Sequence, residues 1–170
     1  MLYPKNFEEK IGFDKVRERI AQKCLSDLGK EKVKQIRISY SPNFIALLIG
    51  QVEEFKEIIE FEDDFPLEHC INVQDSLEKL RIEGTHPEVE DVHNLRLNQS
   101  TVRKIISFLK SKKKEDKYLK LFHLTKNLNI YPFITERIDR ILNSKGEIKN
   151  DASQELKNIR QSIVSKENQV

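Results

Sequence analysis

Apolar residues recur every three or four positions through most of this sequence, and this spacing constrains the fold more than any other feature. The clearest run alternates steps of three and four, with one glutamine among its members: Val92, Leu95, Gln99, Val102, Ile106 and Leu109. Such steps place side chains along one face of an α-helix. The chain has only 5 Gly and 5 Pro in 170 residues, about half the usual share, so turns are few. We therefore predict an all-α protein.

Similar spacing predicts the other helices. One helix covers roughly 13–25, and Ser26 caps a second one that ends before Pro42. In the next helix we expect one buried stripe made of Ile45, Leu48, Ile49, Val52, Phe55 and Ile59. Further helices are expected near 75–83, from Tyr118, from Pro132, and from 153. In the helix that Pro132 begins, we expect four inward-facing residues: Ile134, Ile138, Ile141 and Leu142.

Several helix ends are also predicted from the sequence. Gly84 fits a C-terminal cap, and Thr85 with Glu88 fits a capping box in which Pro87 lies in the first turn. Residues 144–147 are expected to form a turn followed by a short extended piece at Ile148. Asp151 or Ser153 should cap the last helix. No stop signal closes that helix by Val170, so we expect it to continue in a longer protein.

Composition excludes several classes of protein. The longest apolar run, Phe44 to Ile49, is far shorter than the ~20 residues that span a bilayer. The N-terminus has no apolar segment typical of a secretory signal. Cys24 and Cys70 form no CxxC pair, and Cys24 belongs to an apolar stripe, which favours a buried, inert thiol. These features predict a reduced, cytoplasmic protein without a membrane partner.

No catalytic motif is visible. The five glycines are too far apart for a phosphate-binding loop, and Gly29-Lys30 is followed by Glu31 where Ser or Thr would be needed. His69 beside Cys70 has no second Cys or His pair at ligand spacing, so we predict no metal site. His86 and His93 are seven residues apart and are expected on one helix face, as surface or partly packed side chains. The acidic loop at 62–64 is expected to be solvated. An enzyme with carboxylates at Glu60, Glu62, Asp63 and Asp64 is the less favoured alternative.

A run of lysines near the middle of the chain is the one candidate nucleic-acid contact. Residues 110–120 contain six lysines against Glu115 and Asp116, which leaves a net charge of +4. We interpret the run as a helix end and a loop. Lysines there can neutralise phosphates without reading sequence, whereas a solvated surface without a ligand is the alternative. The candidate phosphate-binding residues are Lys110, Lys112, Lys113, Lys114 and Lys117.

A series of short stretches resembles one protein family in the same order along nearly the whole chain. The stretches are YPKNFE at 3–8, IGFDKV at 11–16, Cys24 to Ser26 with Leu28 to Glu31, QVEEF at 51–55, LRIEG at 80–84, RIDRIL at 137–142, GEIK at 146–149, and Asp151 to Arg160. Together they resemble the N-terminal region of the MutS-two family, the second MutS paralogue group. The series, more than any single motif, carries the resemblance.

The resemblance implies an architecture. Residues 1–150 would form an elongated multi-helix array like the core and lever part of a MutS protein. Residues 151–170 would begin a long helix that leads into a clamp coiled coil outside these residues. Such a lever would pass nucleotide-driven motion to the clamp.

The resemblance also implies a function for a longer parent protein. Relatives are homodimeric ATPases that carry an endonuclease-type domain, and they are associated with suppressing recombination at branched DNA and with collided ribosomes. ATP and Mg²⁺ would bind the parent, while this fragment would be non-catalytic and hold no cofactor. A free-standing adaptor that binds a partner protein through Leu156, Ile159 and Ile163 remains the alternative.

Overall fold

A computed structural model describes residues 6–68 and 70–168 of the chain. Within these residues the protein is α-helical and contains no β-strand, as predicted. The helices are α1 (Phe7–Lys10), α2 (Phe13–Lys23), α3 (Asp27–Lys34), α4 (Pro42–Phe61), α5 (Gln74–Lys79), α6 (Val89–Lys113), α7 (Leu119–Thr125), α8 (Pro132–Ile141) and α9 (Gln154–Glu167). The chain divides into two compact units between Glu53 and Glu54, inside α4. The expected domain boundary near 150 stays a prediction.

In the first unit, α2 packs against α1 and α3. Ser26 caps α3 as predicted, because its hydroxyl oxygen accepts a hydrogen bond from the Gly29 N–H at 3.1 Å. The Arg17 guanidinium pairs with Glu8 at 2.7 Å and donates to the Ile36 carbonyl at 2.9 Å. These contacts tie α1, α2 and the end of α3 together.

The core of the second unit lies between the C-terminal half of α4, the end of α6 and α7. Its buried members are Ile58, Phe108, Leu109 and Tyr118. Phe65 completes it, with its ring edge-to-face to those of Phe55 and Phe108 at 5.5 and 5.2 Å between centroids.

The prediction that α4 buries one continuous apolar stripe is wrong. Ile58 is fully buried, whereas Ile59 is 61% exposed and four stripe residues before Glu53 are also exposed: Ile45, Leu48, Ile49 and Val52. After Phe55, the stripe can continue three residues later at Ile58 or four residues later at Ile59. The core forms around Ile58, and the local sequence does not encode that choice.

The predicted capping box at Thr85 is wrong. The Thr85 hydroxyl donates to the Lys79 and Ile82 carbonyls at 2.7 and 2.8 Å, so it closes the turn that follows α5. Glu88 is the N-cap residue of α6, and its side chain makes no capping bond. Pro87 and His86 therefore precede the helix, and His86 does not share a helix face with His93.

The end of α6 lies within the lysine run, as predicted. The Lys117 N–H donates to the Lys112 carbonyl at 3.1 Å, and the Asp116 N–H donates to the Lys113 carbonyl at 3.0 Å. This pair of bonds is a Schellman motif, and Asp116 occupies its left-handed position with φ of 55°. Tyr118, with φ of 54°, then directs the chain into α7.

The last part of the second unit follows the predicted order. Ile138 and Leu142 are buried, whereas Ile141 is exposed, contrary to the expectation that it faces inward. Leu142 pairs with Ile148 in an antiparallel bridge, which confirms the short extended piece. The Ser153 hydroxyl accepts from the Leu156 N–H at 3.1 Å and caps α9. The expected continuation of this helix involves residues 169 and 170, which lie outside the described residues.

Candidate nucleic-acid interface

The five candidate lysines lie on the last turns of α6 and in the loop that joins α6 to α7. The Schellman motif fixes the direction in which the chain leaves α6. The lysines therefore share one end of the second unit, but their surroundings differ.

Lys112 is the member of the set that is held inside the fold. Its ammonium pairs with Glu62, and the two side chains are only 18% and 11% exposed. The Tyr118 hydroxyl donates to the other oxygen of the Glu62 carboxylate at 3.0 Å. Lys112 also lies over the Phe108 ring, 5.4 Å from its centroid. A phosphate would have to compete with these partners, so Lys112 is a structural residue of the interface.

Electrostatics in this network follow from the same contacts. The hydrogen bond from Lys112 lowers the pKa of Glu62, and the hydrogen bond to Glu62 raises the pKa of Lys112. Burial, and then the bond to Glu62, raises the pKa of Tyr118. All three groups are therefore held in their ordinary charge states around neutral pH.

The other four lysines are exposed. Lys113 lies over the Phe122 ring at 4.7 Å from its centroid, and Lys117 pairs with Glu115 at 3.5 Å in an exposed ion pair. Within the described residues, Lys110 and Lys114 form no ion pair. Because exposed ion pairs contribute little, Lys117 also remains available to an anion. The available charge is therefore carried by Lys110, Lys113, Lys114 and Lys117.

Glu54, a residue that no sequence pattern singled out, positions the start of α7. Its carboxylate accepts from the Lys120 and Leu121 N–H groups at 3.1 and 2.8 Å. It also lies 3.8 Å from the Lys120 ammonium. An acidic residue on the polar side of a predicted helix gave no local signal of this role, because its partners lie 66 and 67 residues away.

The alternative acidic site is not assembled. Glu62 is occupied by Lys112 and Tyr118, Glu60 pairs with Lys56 at 3.6 Å, and Asp63 and Asp64 border a surface groove of about 680 Å³. Over residues 6–68 and 70–168, no three His, Cys, Asp or Glu side chains are grouped to hold a metal ion. His69 lies outside the described residues. In the same part of the chain, no helix has the length and apolarity needed to cross a membrane.

Known proteins provide one consistent comparison. No protein-family model matches the chain, and no solved structure matches it significantly. A protein of Fusobacterium nucleatum is 29% identical over 151 residues, which is 88% of this chain and 19% of that protein. One from Alkaliphilus oremlandii is 28% identical over 156 residues, which is 92% of this chain and 20% of that protein.

A third relative, from Alkaliphilus metalliredigens, is 28% identical over 160 residues, which is 94% of this chain and 20% of that protein. All three are named Endonuclease MutS2. The resemblance predicted from the short stretches is confirmed. The chain spans about a fifth of the length of the curated relatives it matches.

Proposed function

We propose that this chain is a non-catalytic helical lever or core segment of a MutS-two-type protein. The observation that carries the proposal is the similarity to Endonuclease MutS2 proteins along about nine tenths of this all-helical chain. The parent would be a cytoplasmic homodimer that uses ATP and Mg²⁺ and acts on branched DNA, on collided ribosomes, or on both.

Local structure supports a mechanical role for the second unit. A lever needs helices that move as one body. Glu62, the residue that follows α4, pairs with Lys112 on α6. Glu54 of α4 holds the first turn of α7 through two hydrogen bonds. These contacts, together with the aromatic core around Phe65, resist sliding between the three helices.

Nucleotide chemistry would belong to other residues of the parent. Gly29-Lys30, the one Gly-Lys pair in the sequence, lies inside α3. A Cβ at Gly29 would lie 3.3 Å from the Cys24 Cβ, so this glycine packs tightly against the connection between α2 and α3. That geometry does not fit a phosphate-binding loop.

The lysine surface formed by Lys110, Lys113, Lys114 and Lys117 would contribute phosphate contacts. Its test is fluorescence anisotropy of a labelled four-way DNA junction, titrated with the full chain at several salt concentrations. Binding should be weak and strongly weakened by salt. The double variant Lys110→Gln/Lys114→Gln should bind more weakly and reduce the log–log salt slope by about 2, because each lost phosphate contact removes about 0.9.

A matched control uses two exposed lysines elsewhere in the same unit. Lys79→Gln/Lys126→Gln removes the same charge from the ends of α5 and α7 and should retain the original salt slope. An equal loss in both double variants would assign the binding to net charge alone. Tight binding that is insensitive to salt would contradict a peripheral phosphate contact.

A free-standing adaptor is the second candidate, and α9 provides the observation in its favour. Ile159, Ile163 and Val164 are about half exposed on this helix, and no residue of α9 is buried. The reading frame downstream of Val170 separates the two candidates. Continuation into a Gly-x-x-x-x-Gly-Lys-Ser/Thr segment supports the lever and rejects the adaptor, whereas a stop codon there does the reverse.

A further inference from the structure

Two aromatic rings lie side by side on the surface at the start of α8. Tyr131 and Phe133 are 44% and 56% exposed, and their rings meet edge-to-face with 6.2 Å between centroids. Of the ring pairs in the part of the chain that the structure describes, this is the one in which both rings are exposed. Two exposed rings in contact are more than the single apolar residues scattered over any surface, and are typical of a binding site.

The start of α8 fixes both rings in place. Pro132 begins the helix, and its restricted φ sets the backbone between the two aromatic residues. Ile138 is buried and turns one side of α8 into the second unit. At 3.6 residues per turn, Phe133 lies about 140° around the helix from Ile138, so its ring faces outwards.

Two arginines continue the outward side of α8. Arg137 and Arg140 are exposed, and they follow Phe133 by about 6 and about 10 Å along the helix axis. Over the described ranges neither guanidinium forms an ion pair. Asp139, which lies between them in the sequence, pairs instead with Arg96 of α6. Positive charge therefore remains free beside the exposed rings.

We call this set of residues the α8 outer face: Tyr131, Phe133, Arg137 and Arg140. Glu136 is exposed at its edge, so two arginines against one carboxylate leave the face positive. We propose that the α8 outer face binds a single nucleic-acid strand, with unpaired bases stacked on the rings and phosphates held by the arginines.

The chemistry of the face matches that ligand. Every base has a flat surface that stacks on an aromatic ring, and guanidinium groups bind phosphate and also stack on bases. An edge-to-face pair covers at most one side of one ring, so a base has room to stack. The bases of a duplex are already stacked on one another, so the ligand is an unpaired strand.

This site goes beyond the proposed function and does not depend on the lever role. The lysine surface would neutralise phosphates of any strand, paired or unpaired. The α8 outer face requires exposed bases, and this difference allows the two sites to be tested separately.

Fluorescence anisotropy of a labelled oligothymidylate of about 15 nucleotides, titrated with the full chain, tests the proposal. Phe133→Leu should weaken binding about tenfold, because leucine keeps an apolar side chain but removes the flat ring. Phe133→Tyr should restore binding, because it restores the ring. A duplex of the same length should bind equally to all three proteins, since its bases are not available for stacking.

Phe61→Leu is the matched control, because Phe61 is 75% exposed at the end of α4 in the same unit. It should leave binding unchanged, and far-ultraviolet circular dichroism should show equal helicity in all variants. Arg137→Gln should reduce the log–log salt slope for oligothymidylate by about 0.7, the value for one phosphate of a single strand. Arg81→Gln, which removes an exposed arginine after α5, should not.

Several results would overturn the proposal. They are failure of Phe133→Tyr to restore binding, equal weakening by Phe61→Leu, and equal weakening of duplex binding by Phe133→Leu. If only Lys110→Gln/Lys114→Gln weakens oligothymidylate binding, the lysine surface is supported and the α8 outer face is rejected. Absence of binding to oligothymidylate also overturns the proposal and leaves the face to a partner protein, since protein interfaces favour Tyr and Arg as well.

Discussion

At the scale of single residues, Gly146 sits where both backbone and packing exclude a side chain. Its φ is +82°, and an added Cβ would lie 2.7 Å from Cγ of the His93 ring. Gly84 has nearly the same φ, +83°, but open space around it. Gly84→Ala should therefore cost only the left-handed strain, about 1–2 kcal/mol, whereas Gly146→Ala should cost about 1–3 kcal/mol more through overpacking.

Urea denaturation of the two variants measures this difference, and a double variant identifies its cause. Adding His93→Ala to Gly146→Ala removes the ring that the new methyl group meets. The packing part of the loss should then disappear while the backbone part remains. Equal destabilisation in the Gly84 and Gly146 variants would contradict the close approach of His93.

The Glu62 network should give the second unit a pH dependence that a surface ion pair lacks. The pKa of Glu62 is lowered from its ordinary value of 4.5. Its contribution to the free energy of unfolding is therefore fully present above that value and is lost as the pH falls through the lower pKa of the folded state. The pKa values of Tyr118 and Lys112 are raised from 10.0 and 10.5. The contributions of these two groups to the free energy of unfolding are therefore lost only as the pH rises above those values.

Urea unfolding of Glu62→Gln at a series of pH values measures the contribution of the network. The variant should be less stable than the original chain at neutral pH, and the two should converge in acid. Glu60→Gln is the control, because the pair of Glu60 with Lys56 at 3.6 Å is largely exposed and should contribute little at any pH. A stability gap for Glu62→Gln that persists unchanged into strong acid would refute the ion pair.

At the scale of elements, α7 depends on a residue of α4. The Glu54 carboxylate accepts two N–H groups at the start of α7 and so does the work of an N-cap side chain. Glu54→Ala should cost about 1 kcal/mol, as the loss of a capping residue does. Glu53→Ala, an exposed neighbour, should change the free energy of unfolding by less than about 0.5 kcal/mol. Equal losses in the two variants would show that helix propensity, not the cap, is responsible.

The same element shows how far sequence predicts this fold. Local spacing and caps predicted most helices, including the body of α6 from Val92 to Leu109 and the Ser26 and Ser153 caps, although not the start of α6. The candidate interface was predicted only as a run of lysines. The ion pair of Lys112 with Glu62 joins residues 50 positions apart in the sequence, and the hydrogen bond from Tyr118 to Glu62 joins residues 56 positions apart. Periodicity carries no information at that separation. It also assigned Ile59 to the buried stripe of α4, where Ile58 is the buried residue.

At the scale of the whole molecule, packing is concentrated in one part of the second unit. α6 contributes Thr101, Phe108 and Leu109 to the buried residues and packs against α7 and α8, whereas α9 buries none. Local opening should therefore be costly at the end of α6 and nearly free in α9. Amide hydrogen exchange in the C-terminal half of α6 should be at least about a hundredfold slower than in α9.

Measuring the exchange with and without other proteins present makes this prediction sharper. Protection of α9 equal to that of α6 in dilute solution would contradict the packing described for the second unit. Protection of α9 that appears only when another protein is added would instead favour the adaptor, because the apolar residues of that helix would then be the covered ones.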